Sequence, residues 1–577
     1  MEQNHNRRSQ GAARWLWRVA GKYRGCVAGL MLMEAALGAS GVAYAMLFRE
    51  MIDGAAAGRM RTFVWAAVLL AGLTLAQMIL DALGSLLAEW TRATVENRLK
   101  SRLFDCLLHK DFATVKAKHS GEWVSRLTSD TVVVANGLVN ILPGLAGMLA
   151  RLAGALGMLL YLQPAFVYVV LPAGLAVLAV TTLLRKVLKR LHKQIQEASG
   201  AVLSFLQERL ESMMIVHVFA MEERTGRQAA QKMEAHKAAR LRRNHFSNLC
   251  YFGFGGIVNG GYLLAAVYCG YGIMQGSISY GTFAAVLQLV GQVQSPVAGI
   301  TGVVPQYYAM TASAERLMEA EAYPDDGGEA PVPAREIARF YRESFESLGV
   351  RGASFSYRTF EGESHVSERL AVIDGLDLEV RKGEYVAFTG HSGCGKSTLL
   401  KLLMCLYPLD KGQRYLKART AAGPAEYPLT AAWRGLFAYV PQGNQLMSGT
   451  IREIVAFGEP AAMRQEQRLW RALEVACADG FVRELEHGLD TALGEHGSGL
   501  SEGQMQRIAI ARAVFSERPV LILDECTSSL DEDTEQKLLT NLRRMTQKTV
   551  LIITHRPAAL SICDRQVEMA PEGRNHV

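Results

Sequence analysis

The chain has 577 residues, half of them hydrophobic and 20% charged, against about 25% charged in an ordinary soluble domain. That length accommodates two to four domains at roughly 100–200 residues each, and a mean hydropathy of +0.09 is too apolar for a disordered chain. A net charge of +7, from 62 basic against 55 acidic residues, gives no reason to expect nucleic acid as a partner, and the nine cysteines include no Cys-x-x-Cys pair, which argues against a zinc site or a disulfide scaffold and suits a reducing compartment.

The apolar residues are unevenly spread. Residues 1–320 contain six stretches, near 25–48, 63–85, 132–160, 164–184, 248–274 and 281–308, each long enough to cross about 30 Å of hydrocarbon at about 20 residues per helix. Only helices serve here, because lipid cannot satisfy the backbone of an open strand. The third stretch is interrupted by Pro143 and Arg151, and the last by Gln288, Gln292, Gln294 and Pro296. No cleavable signal peptide is expected, since the first apolar run leads into further membrane-type sequence. The connections 86–131 and 185–247 are rich in Lys and Arg, while 161–163 and 275–280 have none. That asymmetry places both termini in the cytoplasm.

Both basic connections read as helix continuing out of the membrane, with Leu87, Trp90, Val95, Leu99, Leu103 and Leu107 at helical spacing in the first. Such hairpins can carry movement between membrane spans and a cytoplasmic domain. The stretch YPDDGGEAPVPAR at 323–335 combines Pro, Gly and acids, which marks a boundary. The expected division is therefore an amphipathic cytoplasmic segment 1–22, an all-α six-helix transmembrane domain 23–322, a linker 323–346 and an α/β domain 347–577.

Chemistry is legible in the last of these. Gly390 to Ser397 spell GxxxxGK[ST] between an apolar strand, Tyr385 to Phe388, and a helical run from Thr398. This is the context a P-loop requires: the amides of Gly390, Ser392, Gly393, Cys394, Gly395 and Thr398 cradle phosphates, Lys396 reaches the β/γ oxygens and the Ser397 hydroxyl holds Mg²⁺. Further on, Val520-Leu521-Ile522-Leu523 is a strand ending in Asp524-Glu525. Asp524 suits a Mg²⁺ contact, and Glu525 can orient or deprotonate a water attacking a γ-phosphate.

The stretch Leu500-Ser501-Glu502-Gly503-Gln504, followed by Met505-Gln506-Arg507 and lying 24 residues before Asp524, resembles the ABC ATPase signature. Together with the P-loop and a downstream His555, it makes the chain similar to an ABC exporter half-transporter: six spans fused ahead of one ATPase domain. The resemblance implies ATP and Mg²⁺ as cofactors, Tyr357 as the aromatic stacking on adenine (with Phe355 its rival), and Gln442 as the glutamine that touches Mg²⁺ and the water. It implies that Ser501, Gly503 and Gln504 contact ATP held by a second subunit, that Asp531 belongs to the D-loop and that His555 is the switch histidine. Gly494-Glu495-His496-Gly497 resembles the segment that touches intracellular helices, 104–116 the first coupling segment, and Glu211 to Phe219 the surroundings of the second.

Two features depart from the family pattern. Glu502 stands where the signature has its second glycine, bringing a carboxylate near a phosphate-binding turn. The chain also ends 22 residues after His555, without the family's further Gly-Thr-His segment. A subunit carrying Glu525 and His555 implies hydrolysis, and a chain with every catalytic element suits a homodimer, a heterodimer being the alternative. The implied setting is multi-pass in the bilayer of a bacterial cytoplasmic membrane. Glu34, Asp81 and Arg151 fall within apolar stretches, as substrate contacts or, preferably, structural charges. The glycines of the fifth span, from Gly253 to Gly261, read as a close-packing face. An importer on the same architecture and a nucleotide-gated membrane protein remain the other readings, and a hydrolytic base at Glu525 weighs against the second.

Overall fold

The computed structural model describes residues 11–569 apart from 13, 119, 328, 362–364, 422, 444, 445, 495, 496, 498 and 546. Two compact units are formed, one from the residues up to Leu103 together with Ser125–Glu319, the other from Phe104–Val124 together with the chain from Ala320 onward.

The first unit is helical. Its long helices are α1 (Arg24–Ala56), α2 (Met60–Leu108, which runs on into the second unit), α4 (Thr131–Leu162), α5 (Val167–Glu211), α7 (Glu222–Met274) and α8 (Tyr280–Glu321), with a short α6 (Met213–Val218) between α5 and α7. Each of the six apolar stretches falls on one of the long helices. Among the described residues three helices are long and apolar enough to cross a membrane: Arg14–Ala56, Met60–Leu108 and Ser120–Leu162. The interruptions do not end helices: Pro143 lies inside α4, and Pro296 and Pro305 inside α8.

Small residues bring α1 and α4 together, since a Cβ on Gly38 would stand 2.6 Å from the Gly147 carbonyl oxygen. At the glycine face expected in the fifth span, no described atom comes within 4 Å of a Cβ placed on Gly253, Gly256, Gly260 or Gly261. Where α4 begins, Arg126–Asp130 form one turn of π-helix. Its two charged ends are buried, Arg126 at 2% and Asp130 at 4% exposure, and both are met by α8. Arg316 donates to Asp130 through Nε at 2.8 Å and Nη2 at 2.5 Å, Ser313 Oγ donates to Asp130 at 2.9 Å, and Arg126 donates to the Arg316 carbonyl at 2.8 Å and to Glu319 at 3.0 Å.

In the second unit, a short helix α3 (Phe112–Lys116) belongs with the α/β part. That part begins earlier than the sequence indicates. The latter half of the stretch read as linker forms α9 (Ala334–Glu343), whose Ile337 and Tyr341 are buried in the core. An antiparallel sheet in the order β2-β1-β4-β5 comprises β1 (Phe345–Glu361), β2 (His365–Arg381), β4 (Lys411–Thr420) and β5 (Gly423–Pro428). A parallel sheet in the order β9-β3-β8-β7-β6 comprises β3 (Tyr385–Thr389), β6 (Phe437–Val440), β7 (Val520–Asp524), β8 (Thr549–Ile553) and β9 (Arg565–Glu568).

The parallel strands are buried on both faces, so they read as unbroken apolar runs. Period two sorts their side chains. Val520 and Ile522 of β7 join the core shared with the antiparallel sheet, while Leu521 and Leu523 join the core shared with α12 (Glu502–Phe515) and α13 (Glu532–Arg543).

Candidate active site

Parallel strands align their carboxyl ends, and in such sheets ligands bind just beyond that edge. The register pairs Ile553 with both Phe388 and Asp524, and Leu523 with Val440. This puts the exits of four strands side by side: the glycine loop after β3, Gln442 after β6, Asp524-Glu525 at the end of β7 and His555 after β8.

The loop from Gly390 to Gly395 leads into α10 (Lys396–Leu403). Gly390, Gly393 and Gly395 have φ of 131°, 85° and 99°, a region in which any Cβ is strained. At Gly395 a Cβ would also stand 3.0 Å from Val372. Cys394 is buried, whereas His391, Ser392 and Gly393 are exposed. Lys396 curls into the loop, its ammonium donating to the carbonyls of Gly390 at 2.7 Å and His391 at 2.9 Å. Ser397 and Thr398 follow on the first turn of α10.

Asp524 is the most enclosed acid of the site, at 2% exposure. It accepts from Ser397 Oγ and from the Tyr439 hydroxyl, both at 3.1 Å. Burial pushes its carboxyl above the ordinary aspartate range, opposed by those two hydrogen bonds. Ser397 and Asp524 thus offer adjacent hard oxygen donors. Among the described residues no three His, Cys, Asp or Glu side chains converge as a metal site.

Glu525 takes φ +49°, unusual for a residue with a Cβ. Its amide donates to the Ile553 carbonyl at 3.0 Å, and its carboxylate accepts from the Gln442 side-chain amide at 2.6 Å. His555 is exposed just past β8. On the other side of the loop, the Tyr357 hydroxyl is hydrogen-bonded with Thr398 Oγ1 at 3.1 Å. Phe355 is buried behind it.

The signature segment caps α12. Ser501 Oγ accepts from the Gln504 amide at 3.3 Å, and Gln504 Oε1 accepts from the Ser501 amide at 2.9 Å. Gln504's side chain is thereby committed to its own helix end. Glu502 is exposed on the first turn, and Gly503 is required, because a Cβ there would lie 2.9 Å from the Ser529 carbonyl oxygen. Asp531 caps α13 by accepting from the Thr534 amide at 2.9 Å, which holds its carboxyl below the ordinary range. Glu495 and His496 lie outside the described residues.

Three contributors were not singled out from sequence. Tyr439 holds Asp524. Arg556 ties the 528–530 segment down, donating to the carbonyls of Ser528 at 2.7 Å and Leu530 at 3.0 Å and to Glu535 at 2.8 Å. Gln506 reaches Ser528 and Ser529 at 3.2 and 3.3 Å. Only their adjacency to Gln442, His555 and Ser501 in sequence marks them.

In the helical unit, Glu34 lies against Gly147, with its carboxylate 3.0 Å from where a Cβ there would be. Arg151 is half-buried one turn along α4, and Asp81 is exposed on α2. The described ion pairs include none of the three, although Glu34 and Arg151 both lie at the α1–α4 contact around Gly38 and Gly147.

Two family models match the chain. The ABC transporter transmembrane region model matches residues 27–297 and the ABC transporter model residues 373–528. The chain belongs to the ABC transporter family. It is an exporter-type half-transporter by its domain order and fold, an integral membrane protein that binds ATP and couples its hydrolysis to transport. It is 28% identical to the ATP-dependent lipid A-core flippase of Chromobacterium violaceum, with 94% of this chain and 91% of that one covered. It is likewise 28% identical to the ABC multidrug transporter mdr2 of Aspergillus fumigatus, over 83% of this chain and 58% of that one. Its fold is that of a bacterial Atm1-family ABC exporter solved with ATP bound, at TM-score 0.77 and 23% identity, covering 96% of this chain and 95% of the other.

Proposed function

We propose that two such half-transporters pair head to tail in a bacterial cytoplasmic membrane, each with six spans and cytoplasmic termini, and export a substrate by alternating access as ATP joins and hydrolysis parts their ATPase domains. The carrying observation is the Gln442–Glu525 hydrogen bond of 2.6 Å beside the Ser397–Asp524 pair. In this reading Glu525 is the general base, which Gln442 orients along with the attacking water, and His555 contacts the γ-phosphate. Tyr357 stacks on adenine, and the loop amides with Lys396 hold the phosphates.

Ser397 and Asp524, with Gln442 alongside, would hold Mg²⁺, which supplies charge neutralisation between the β- and γ-phosphates. Ser501 and Gly503 serve the partner's nucleotide, with Ser501 already pointed by its cap. Asp531 presents the D-loop across the same interface. A two-state element biased by ATP in this way shifts the membrane helices between inward- and outward-facing forms. Because this one chain carries every catalytic element, a homodimer is the favoured pairing.

The test is ATP-driven accumulation in inside-out vesicles, with a panel of lipids including a lipid A-type glycolipid, peptides, drugs and metal chelates. Uptake that requires ATP is expected, and Glu525→Gln should abolish it while ATP still binds. General-base loss typically costs about 10²–10⁴ in rate. ATP-dependent loss from preloaded vesicles would instead establish import.

A further inference from the structure

Four rings form a continuous run within the second unit. Phe355 and Tyr357 meet edge to face, with centroids 5.0 Å apart at 84°. Both touch Tyr407, at 5.4 and 5.7 Å. Phe112, the first residue of α3, meets Tyr407 at 5.8 Å and 79°. Tyr407 is 7% exposed and Phe112 37%. Burial, with the Tyr357 hydroxyl alongside, pushes the Tyr407 hydroxyl up to about 12, so it stays protonated at working pH.

The seat of α3 is fixed by separate contacts. Lys110 donates to Asp325 at 2.7 Å, the Asp111 amide to the Pro324 carbonyl at 3.0 Å, and the Asp326 amide to the His109 carbonyl at 2.9 Å. Asp326 also accepts from Arg434, whose guanidinium donates to the Met404 and Cys405 carbonyls just before Tyr407. At the far end, Tyr357 reaches Thr398 on the first turn of α10. A segment that leaves and re-enters the helical unit thus touches the ring beside the P-loop through one intermediary, Tyr407.

We propose that Tyr407 is a positioning residue for the nucleotide base, passing the seat of Phe112 to the stacking face of Tyr357, so that adenine affinity depends on α3. The inference rests on Tyr357 being the stacking residue. A ring wedged edge-on between two others has no free rotamer, so removing Phe112 lets Tyr407 swing and takes the backing from Tyr357. The phosphates are held by the loop amides and Lys396, and Tyr357 meets Thr398 only at its hydroxyl, not at its amide, so they should not sense the change.

The test uses full-length protein in lipid nanodiscs with Glu525→Gln, so that bound ATP is not consumed. Affinities are measured for ATP and for inorganic tripolyphosphate. Phe112→Ala and Tyr407→Leu should each weaken ATP roughly 2- to 12-fold, the factor one edge-to-face pair carries. The double variant should be no weaker than the worse single, tripolyphosphate affinity should hold, and Tyr407→Phe should stay near the parent. The proposal is overturned if Tyr357→Ala weakens ATP while the Phe112 and Tyr407 variants do not. Additive losses, or tripolyphosphate falling in step with ATP, would overturn it too. If Tyr357→Ala leaves ATP affinity unchanged, the stacking role itself is wrong, and the relay goes with it.

Discussion

At the scale of single residues, the site turns on the opposing forces on one buried carboxylate. Asp524 is almost fully enclosed, and desolvation raises its pKa, while Tyr439 and Ser397 pull the other way by donating to it. Removing the phenol in Tyr439→Phe deletes a stabiliser of the charged form, so the carboxyl should rise further. The acid limb of the ATPase kcat/KM profile should then move to higher pH, and the ATPase domain should lose about 1.5–3 kcal/mol, the range for a hydrogen bond to a charged group. A profile that superimposes on the parent would mean the phenol is mere packing. The acids themselves were legible in the sequence, because a P-loop and a strand ending in Asp-Glu are local patterns whose chemistry follows from spacing. Tyr439 was not legible. Its meaning arises only when β6 is laid in register beside β7, 85 residues away. Nor was the cap formed by Ser501 and Gln504 singled out, although Ser-x-x-Gln ahead of a helix carries that signal.

At the scale of elements, the π-turn at the start of α4 is where helix geometry and charge interlock. An extra residue in one turn widens the helix there, and both charged side chains of the turn, Arg126 and Asp130, are met by α8. Arg316→Gln leaves Asp130 buried with Ser313 as its remaining contact from α8, which should cost the helical unit about 2–3 kcal/mol. That is somewhat below a fully buried pair, because the Arg316 side chain is 48% exposed. Adding Asp130→Asn should recover part of the loss, since no uncompensated charge then remains. Thermal unfolding of the detergent-solubilised chain reads both, and a double variant as unstable as the sum of the singles would deny the coupling. Length and apolarity marked where the six long helices fall. They did not reveal the π-turn, whose partners lie 183–193 residues away. The Pro- and Gly-rich run at 323–335 masked α9, because a ten-residue helix that buries little beyond Ile337 and Tyr341 looks like solvated linker. The close approach made by Gly38 on α1 and Gly147 on α4 has no counterpart among the described atoms around Gly253, Gly256, Gly260 and Gly261.

At the scale of the whole molecule, the proposed dimer makes a prediction that no single chain can satisfy. If Ser501 completes the site opened by the partner's Lys396, each composite site draws one residue from each half. Consider two halves joined in tandem, both carrying Glu525→Gln, with Lys396→Ala and Ser501→Ala distributed in two ways. With both substitutions in the same half, one composite site loses its lysine and the other its serine, so both are damaged. Split between the halves, they fall on one composite site and leave the other whole. The split arrangement should therefore retain about one ATP per tandem dimer after rapid gel filtration, and the same-half arrangement almost none. Sites built within single chains give the opposite order, because the same-half arrangement then spares one complete site. Only this order of retention reads the head-to-tail pairing. Retention of about one ATP in both arrangements alike would show that Ser501 does no more than cap α12, as its hydrogen bonds with Gln504 already provide.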